Sequence, residues 1–500
     1  MPTIGHAENP KYARGEDEGL FGWPPSTTGA VRTSFIRHAD RRAEAHAGIR
    51  VPNCSEYRGA VWAAYAANPI TFRQPPEPGT AEFDLYFRRI LRTLEPKSAV
   101  GLGKFAGYST IGAALGWDGV GYTEVSRVED LKQAVLAKLR GLEEGVPEGA
   151  WLVDPRTGDC SPELLKLVQD QGSQTYQTRV SEGSDSSLGP DDIKLFIKDE
   201  PHKQRKLEEG YYRLIWSLSL EDQVLDRVLM YPFVDSEIKN VEKVVAKSGW
   251  APLPDGYKAL IANFPEERAI AVDKTAWDWT MPAWVVAHYF HVKMLQTRNC
   301  TRLYQWRVFN RMRQVVGPDM IVRFPTGHRL RQTYWGQMKS GWFLTLSMNS
   351  MAQWAQHWLS WNRIGNPGPI PLCWAMGDDM LLDWPYSADS LKKYEKALAR
   401  TGCILKHTLR SREFAGFRFE GNKVIPLYDQ KHRFAIRHLD PANELSVVLS
   451  YALLYALSGN EHYAELAEPF GVSKPVLYSW ATGLAKFSFE IPEQFLHGVE

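Results

Sequence analysis

Cysteine is sparse in this sequence. Its five residues, Cys54, Cys160, Cys300, Cys373 and Cys403, are scattered over 500 positions without C-x-x-C spacing. That excludes a disulfide scaffold or a zinc ribbon and suits a reducing cytosol. Cys403 and His407 lie four apart, but two potential ligands do not make a metal site. No G-x-x-x-x-G-K-[ST] loop and no H-E-x-x-H pair occurs, so neither a helicase nor a zincin fits. An excess of charge of one sign is also missing. With 59 Lys and Arg against 58 Asp and Glu the net charge is +1, and any polyanion must be held by local charge. Long apolar runs are absent too. One uncharged and mostly apolar stretch, "LSVVLSYALLYALSGN" from Leu445 to Asn460, is shorter than the ~20 residues of a spanning helix and reads as a buried helix. "MPTIGHAENPKYARGEDEG" has no apolar core, so no signal peptide is expected. No internal repeat is evident.

What is present suits a large globular chain: 44% hydrophobic and 23% charged residues, with 18 Trp, enough for a substantial core. "QGSQTYQTRVSEGSDSSLGPDD", Gln171 to Asp192, reads as a loop or linker. "YRGAVWAAYAA" is a helical candidate and "DIKLFIKDEP" a short strand. "SLEDQVLDRVLM" opens a helix at Ser219 with Val224, Leu225, Val228 and Leu229 on one face. "RAIAVDKTAWDW" is a strand with a polar end. "PLCWAMGDDMLLDW" is strand, tight turn, strand. "DSLKKYEKALARTG" is an amphipathic helix capped near Asp389 or Ser390 and stopped at Gly402. "EFAGFRFEGNKVIPL" is a hairpin turning at Gly-Asn, and the last ~65 residues read as mostly helical. Strands and helices interleave without βαβ repetition, which predicts an α+β core with helical lobes.

Two adjacent carboxylates, Asp378 and Asp379, stand between apolar runs in "CWAMGDDMLLDW". A Gly-Asp turn between strands accounts for them blandly. A second pair, Asp273 and Asp278 in "AVDKTAWDW", makes the sharper reading attractive. An aspartate at a strand end and two on a hairpin turn can converge, and divalent cations then relieve their repulsion, as in two-metal phosphoryl transfer. Between the pairs, "KSGWFLTLSMNS" holds Ser340-Gly341, Thr345 and Asn349. Gly341 allows a close backbone approach, and Thr345 and Asn349 share a helix face. Upstream, "FIKDEPHKQRKLEEGYYRLIW" carries Lys198, Lys203, Arg205, Lys206 and Arg213. It is either a solvated strand-loop-strand or, if its cations converge, a triphosphate channel.

The ordered set "KDEPHK", "RLIWSLSLEDQVLDRVL", "DKTAWDW", S-G-x3-T-x3-N and "MGDD" resembles the RNA-directed RNA polymerases of positive-strand RNA viruses, of the sobemovirus and polerovirus type. The resemblance runs from about Lys194 to Leu427. It implies a right-hand polymerase with an antiparallel-sheet palm and helical fingers and thumb. The N-terminal extension and fingers would span 1–265, with the basic finger motif at 194–216. The palm would span 266–285 and 336–427, a fingers insertion 286–335 and the thumb 428–500. It implies that Asp273 and Asp378, assisted by Asp379, hold two Mg²⁺ ions, with Mn²⁺ as the alternative. Asp278 and Asn349 would meet the ribose 2′-hydroxyl, with Thr345 positioning Asp278 and Ser340-Gly341 letting a loop move. Lys198, Lys206 and Arg213 would meet the triphosphate, and His202 stands where related enzymes often carry Arg. Lys406 would protonate pyrophosphate. Ser98 and Gly101 in "EPKSAVGLG" match a template loop, and "EFAGFRFEG" a primer-gripping hairpin. The expected partners are RNA template and product, ribonucleoside triphosphates, a genome-linked protein primer and other viral replication proteins. The expected location is the host cytoplasm, at membrane-associated replication complexes reached through partners rather than through a transmembrane segment.

Between His291 and Trp335 nine Lys or Arg face one acid, Asp319. Interleaved with Tyr304, Trp306, Phe309, Phe324, Tyr334 and Trp335, this is the composition of a single-strand path. Arg298, Arg302, Arg307, Arg311, Arg313, Arg329 and Arg331 are its candidate RNA contacts; the bland reading is a basic surface over core aromatics. Two rivals remain. A reverse transcriptase shares palm and metals but puts an aromatic gate where Asp278 stands. A non-catalytic nucleic-acid binder is suggested by "ELAEPFGVSKPVLYSW", which resembles a helix-turn-helix interrupted by Pro469 and Pro475.

Overall fold

The computed structural model describes residues 8–9, 11–12, 20–170, 174–178 and 188–484. Most of the polar stretch 171–192 lies outside them, as does most of the N-terminal peptide.

The centre is a four-stranded antiparallel sheet, ordered Cys373–Met376, Asp379–Asp383, Ala269–Thr275, Ile404–Arg410. Three of its strands read as apolar runs because both their faces are buried, whereas the edge strand Ile404–Arg410 is partly exposed and polar. Ile270, Val272, Met380 and Leu382 face the main core, whereas Ala269, Ala271, Leu381 and Trp374 face a second cluster. That second cluster is closed by Phe414, Phe419 and Val424 of a small sheet, Glu413–Phe414, Phe417–Glu420 and Lys423–Pro426, with the expected turn at Gly421-Asn422. On the main-core side lie the helices Ala283–Gln296, Thr345–Arg363 and Ala388–Ala399. The last of these is capped by Ser387, ahead of the expected Asp389 or Ser390: the Ser387 hydroxyl accepts from the Ser390 N–H at 3.2 Å.

The helix opened by Ser219 runs Leu220–Lys239, and Val224, Leu225, Val228 and Leu229 are all buried. Ahead of it the basic segment forms Ile193–Ile197 and Leu214–Ser217, two strands of a five-stranded mixed sheet completed by Tyr176–Thr178, Ile321–Arg323 and Arg329–Gln332. The expected strand in "DIKLFIKDEP" is there as Ile193–Ile197, but it belongs to a sheet where the fingers were expected to be helical. Its other strands are short and far apart in sequence, and three-residue strands such as Tyr176–Thr178 and Ile321–Arg323 carry no period-2 pattern that would announce the sheet.

The C-terminal part is helical, with Asp429–Arg437, Glu444–Tyr455, His462–Ala467 and Lys474–Ala481. Glu444–Tyr455 buries only one side, through Val447, Val448, Ala452 and Tyr455. Among the described residues no helix is long and apolar enough to cross a membrane. Leu477 and Val472 of the helix-turn-helix candidate are buried against that helix, so the segment is spent on packing within the bundle.

Candidate active site

Asp273 lies near the end of the central strand Ala269–Thr275. The neighbouring hairpin turns through Gly377 and Asp378, with Gly377 at φ +62°, a left-handed conformation that costs glycine nothing. The Gly377 N–H donates to Ser350 Oγ at 2.9 Å. Asp278 sits in the one-turn helix Trp277–Thr280, entered through Ala276 at φ +49°. A left-handed alanine costs about 1–2 kcal/mol, which the surrounding packing must offset. Asn349 Nδ2 donates to Asp278 Oδ1 at 2.8 Å, and Trp277 Nε1 donates to Asn349 Oδ1 at 3.1 Å. The helix Thr345–Arg363 therefore grips both acidic elements, through Asn349 and through Ser350.

The carboxylates act on one another. Burial and then the Asp378 charge push Asp278 up to about 6. Burial and then Asp378 and Asp273 push Asp379 up to about 7. Asp378 is open to solvent at the turn tip but walled by protein; this enclosure and the Asp273 charge raise it too, against a hydrogen bond within its own turn. Lys406 Nζ meets Asp273 Oδ2 at 2.6 Å, and His407 Nε2 lies 3.8 Å from the same oxygen. Among the described residues no group of three His, Cys, Asp or Glu side chains forms a metal-holding cluster. The donors nevertheless fit a hard divalent cation. They are all carboxylate oxygens, and the pKa values of Asp378 and Asp379 are raised by burial and then by neighbouring carboxylate charge, which a cation would relieve.

Those shifts have a measurable consequence. An acid raised on folding binds protons that the unfolded chain has released, so its stabilising contribution is present at low pH and lost as pH rises through the folded value. The window runs from 3.8 to about 6 for Asp278 and to about 7 for Asp379. Divalent-free protein should lose melting temperature from these groups between about pH 5 and pH 8, and Mg²⁺ should restore more at the upper value, where the ligands are ionised. Melting curves at both pH values, in EDTA and in Mg²⁺, check this; equal Mg²⁺ shifts would contradict it.

The basic segment reaches the same place. Arg213 lowers the pKa of both Asp278 and Asp378, while its guanidinium meets Glu200 Oε1 at 2.9 Å. Glu200 also takes Lys198 at 3.0 Å and Lys431 at 3.7 Å. His202 supports rather than extends this set: its Nε2 accepts from the Arg213 backbone N–H at 2.9 Å. Ser340 Oγ donates to the Leu214 carbonyl at 3.0 Å, and a Cβ on Gly341 (φ +112°) would stand 2.5 Å from the Trp216 carbonyl oxygen. Glycine is required there by close approach to the basic strand. Gly101 plays a similar part, since a Cβ would stand 2.2 Å from the Leu218 carbonyl oxygen. Ser98 closes the base of that loop by accepting the Ile111 N–H on its carbonyl at 2.9 Å. Thr345 departs from expectation. Its hydroxyl donates to the Lys339 and Trp342 carbonyls at 3.0 and 2.8 Å, so it stabilises the strap beside Asp278 without bonding its carboxylate.

The proposed single-strand path needs the larger correction. Arg311 is buried against Asp226, with Nε–Oδ1 at 2.6 Å, and Arg307 is buried between Glu77 and Glu143 at 2.9 and 2.7 Å. Arg329 grips Asp192 at 2.6 Å. Arg313 and Arg331 share Asp319 at 2.9 and 3.5 Å. Tyr304, Trp306, Phe309, Phe324 and Tyr334 are core residues. Only Arg298, bonded to Thr71 Oγ1 at 2.7 Å, and Arg302, bonded to the Pro147 carbonyl at 2.5 Å, lack a carboxylate partner among the described residues. The excess positive charge of the stretch is cancelled by acids remote in sequence.

Sequence reasoning missed the buried cations beneath the site. Lys274 Nζ donates to Gln353 and Gln356, and Lys339 Nζ to Gln332 Oε1 at 2.7 Å. Burial lowers the pKa of both lysines. A signal existed: Asn349, Gln353, Gln356 and Ser360 recur at helical spacing and are all buried, a polar stripe inside a helix core.

Residues 193–407 match the family model described as viral RNA-dependent RNA polymerase, and residues 134–250 match that of viral RNA-directed RNA-polymerase. Protein P1-P2 of potato leafroll virus is 29% identical over 248 residues, 44% of this chain and 23% of its own length. Replicase polyprotein P2AB of Southern bean mosaic virus is 30% identical over 199 residues, 39% of this chain and 20% of its own. The RNA-directed RNA polymerase of mushroom bacilliform virus is 27% identical over 235 residues, 46% of this chain and 54% of its own. The matches thus span about a fifth to a half of these relatives. The matched residues 193–407 take in the strand, turn and helix that carry the aspartates, and this region is accordingly a viral RNA-dependent RNA polymerase domain similar to those of sobemoviruses and poleroviruses.

Proposed function

We propose that the chain copies an RNA template into complementary RNA from ribonucleoside triphosphates, releasing pyrophosphate. The observation that carries this reading is the mutual electrostatic coupling of Asp273, Asp378 and Asp379 at one end of the central sheet, beside an Asp278–Asn349 hydrogen bond and facing Arg213. In this reading the central sheet is the palm, the basic five-stranded sheet and its helices are the fingers, and the helices from Asp429 onward are the thumb.

Asp273 and Asp378, with Asp379 as the weaker ligand, would hold divalent metal, by preference two Mg²⁺. The metal supplies acidification of the attacking 3′-hydroxyl and charge neutralisation at the phosphates. The protein's own groups do the rest. Arg213, with Lys198 and Lys206, draws in the triphosphate and fixes its orientation. Lys406, which pairs with Asp273, would give a proton to the leaving pyrophosphate. The template would pass the Ser98–Gly101 loop, the exposed Arg298 and the half-buried Arg302. The test is purified protein with a short RNA template, four ribonucleotides and Mg²⁺, with and without primer. Template-length complementary RNA is expected, and its absence under both conditions overturns the reading.

Sugar selection follows from the Asp278–Asn349 pair. A 2′-hydroxyl satisfies these buried groups and a deoxyribose leaves them short of a partner. Asn349→Ala should narrow the ribose over deoxyribose preference about tenfold in kcat/KM, the worth of one such hydrogen bond. Single-nucleotide addition with GTP and dGTP reads it, and an unchanged ratio removes the assignment.

A further inference from the structure

The helix Thr28–Ala47 joins the two halves of the site. One face holds the turn of the basic hairpin: Ser34 Oγ donates to the Tyr212 carbonyl at 2.7 Å, and the Arg41 guanidinium lies 3.6 Å from the Tyr211 ring centroid. The other holds the segment just after Asp278. The Arg42 guanidinium donates to the Trp279 and Met281 carbonyls, both at 2.8 Å, and His38 stacks on Trp279 at 5.0 Å. The helix is thus registered against both the phosphate-facing and the ribose-facing elements.

Arg41 is the residue this docking places among the cations. Arg41, Lys203, Arg213 and Lys406 all act on the Lys206 ammonium. The four residues other than Arg41 are exposed, and Arg41 is half-buried by its stacking on Tyr211. Arg41, Lys203 and Lys206 enter no ion pair among the described residues. Elsewhere in this chain grouped cations are neutralised by carboxylates, as Arg307 and Arg311 are. Five cations gathered at one place, three of them in no ion pair among the described residues, with Arg41 acting on Glu209 only at longer range, form a seat for a compact polyanion. We propose that Arg41, outside the basic finger motif, is a further contact for the polyphosphate, its planar guanidinium held in place by Tyr211. This rests on the polymerase reading for its natural ligand, though not for its test.

The shared chemistry is a chain of phosphates, from a nucleotide or from an RNA backbone, and two measurements separate the sources. Inorganic tripolyphosphate binding to the whole protein is measured by calorimetry, and binding of a single-stranded RNA by fluorescence anisotropy. Arg41→Gln should weaken tripolyphosphate binding about tenfold, one charge-assisted contact, and raise the ribonucleotide KM similarly with kcat and RNA affinity within about twofold. Arg41→Lys keeps the charge but not the planar stacking and should fall between. Unchanged tripolyphosphate binding in Arg41→Gln overturns the proposal, as does a loss confined to RNA. If tripolyphosphate binding falls while wild-type protein makes no RNA, the contact stands and the polymerase reading fails. If wild-type protein makes RNA and the Arg41→Gln KM is unchanged, the contact fails and the reading stands.

Discussion

Asp378→Asn abolishes nucleotide addition while the protein stays folded. Asn is nearly isosteric, so the Gly377–Asp378 turn and its bond from Gly377 to Ser350 at 2.9 Å persist. What disappears is one anionic oxygen donor. Losing several kcal/mol of charge stabilisation corresponds to about a thousandfold or more in rate. The same change relieves repulsion on Asp379 and Asp278, both of which are raised partly by the Asp378 charge. The metal-free variant should therefore melt at or above the wild-type temperature near neutral pH. Rate and stability move in opposite directions, which separates a ligand from a structural carboxylate. A wild-type rate ends the mechanism, and a rate loss accompanied by unfolding assigns Asp378 to structure.

Arg311→Met unfolds the chain far more readily and does so without touching RNA. Arg311 and Asp226 are each about 1% exposed, and Asp222, 3.6 Å from Arg311, is equally enclosed. Removing the cation leaves two buried carboxylates with Lys138, 3.1 Å from Asp222, as the remaining partner. Breaking a buried pair in this way costs about 3–5 kcal/mol. Arg313→Gln on the same helix, half-exposed and facing Asp319, should cost under about 1 kcal/mol. Replacing Asp226 by Leu together with Arg311→Met should recover much of the loss, because the buried charge then leaves with its partner. Chemical denaturation gives the stabilities, and RNA titration of the folded variants the affinities. A stable Arg311→Met with weakened RNA binding would return this helix to the template path.

Arg311 also shows where one-dimensional reading ends. The charge excess from His291 to Trp335 is real as a count, but its partners are Glu77, Glu143, Asp192 and Asp226. No window along the chain contains both sides of those pairs. The five-stranded sheet escaped for a similar reason, since Tyr176–Thr178 pairs with Arg329–Gln332 and a three-residue strand has no periodicity of its own.

The central elements were legible because their signals are local. Alternation and apolar runs marked the Ala269–Thr275 and Cys373–Asp383 strands, a Gly-Asp turn must bend, and Ser219 caps the helix that follows it. The acidic pairs were conspicuous because adjacent like charges between apolar runs demand compensation. Which charges face ligand and which face each other is a property of distance in space. Folding alone brought Asn349 onto Asp278, buried Lys274 and Lys339 beneath the aspartates, turned Arg307 and Arg311 inward, and laid Arg41 beside Lys206. Each of these outcomes depends on Coulomb and desolvation energies that fall within a few ångströms, a separation that chain order does not encode.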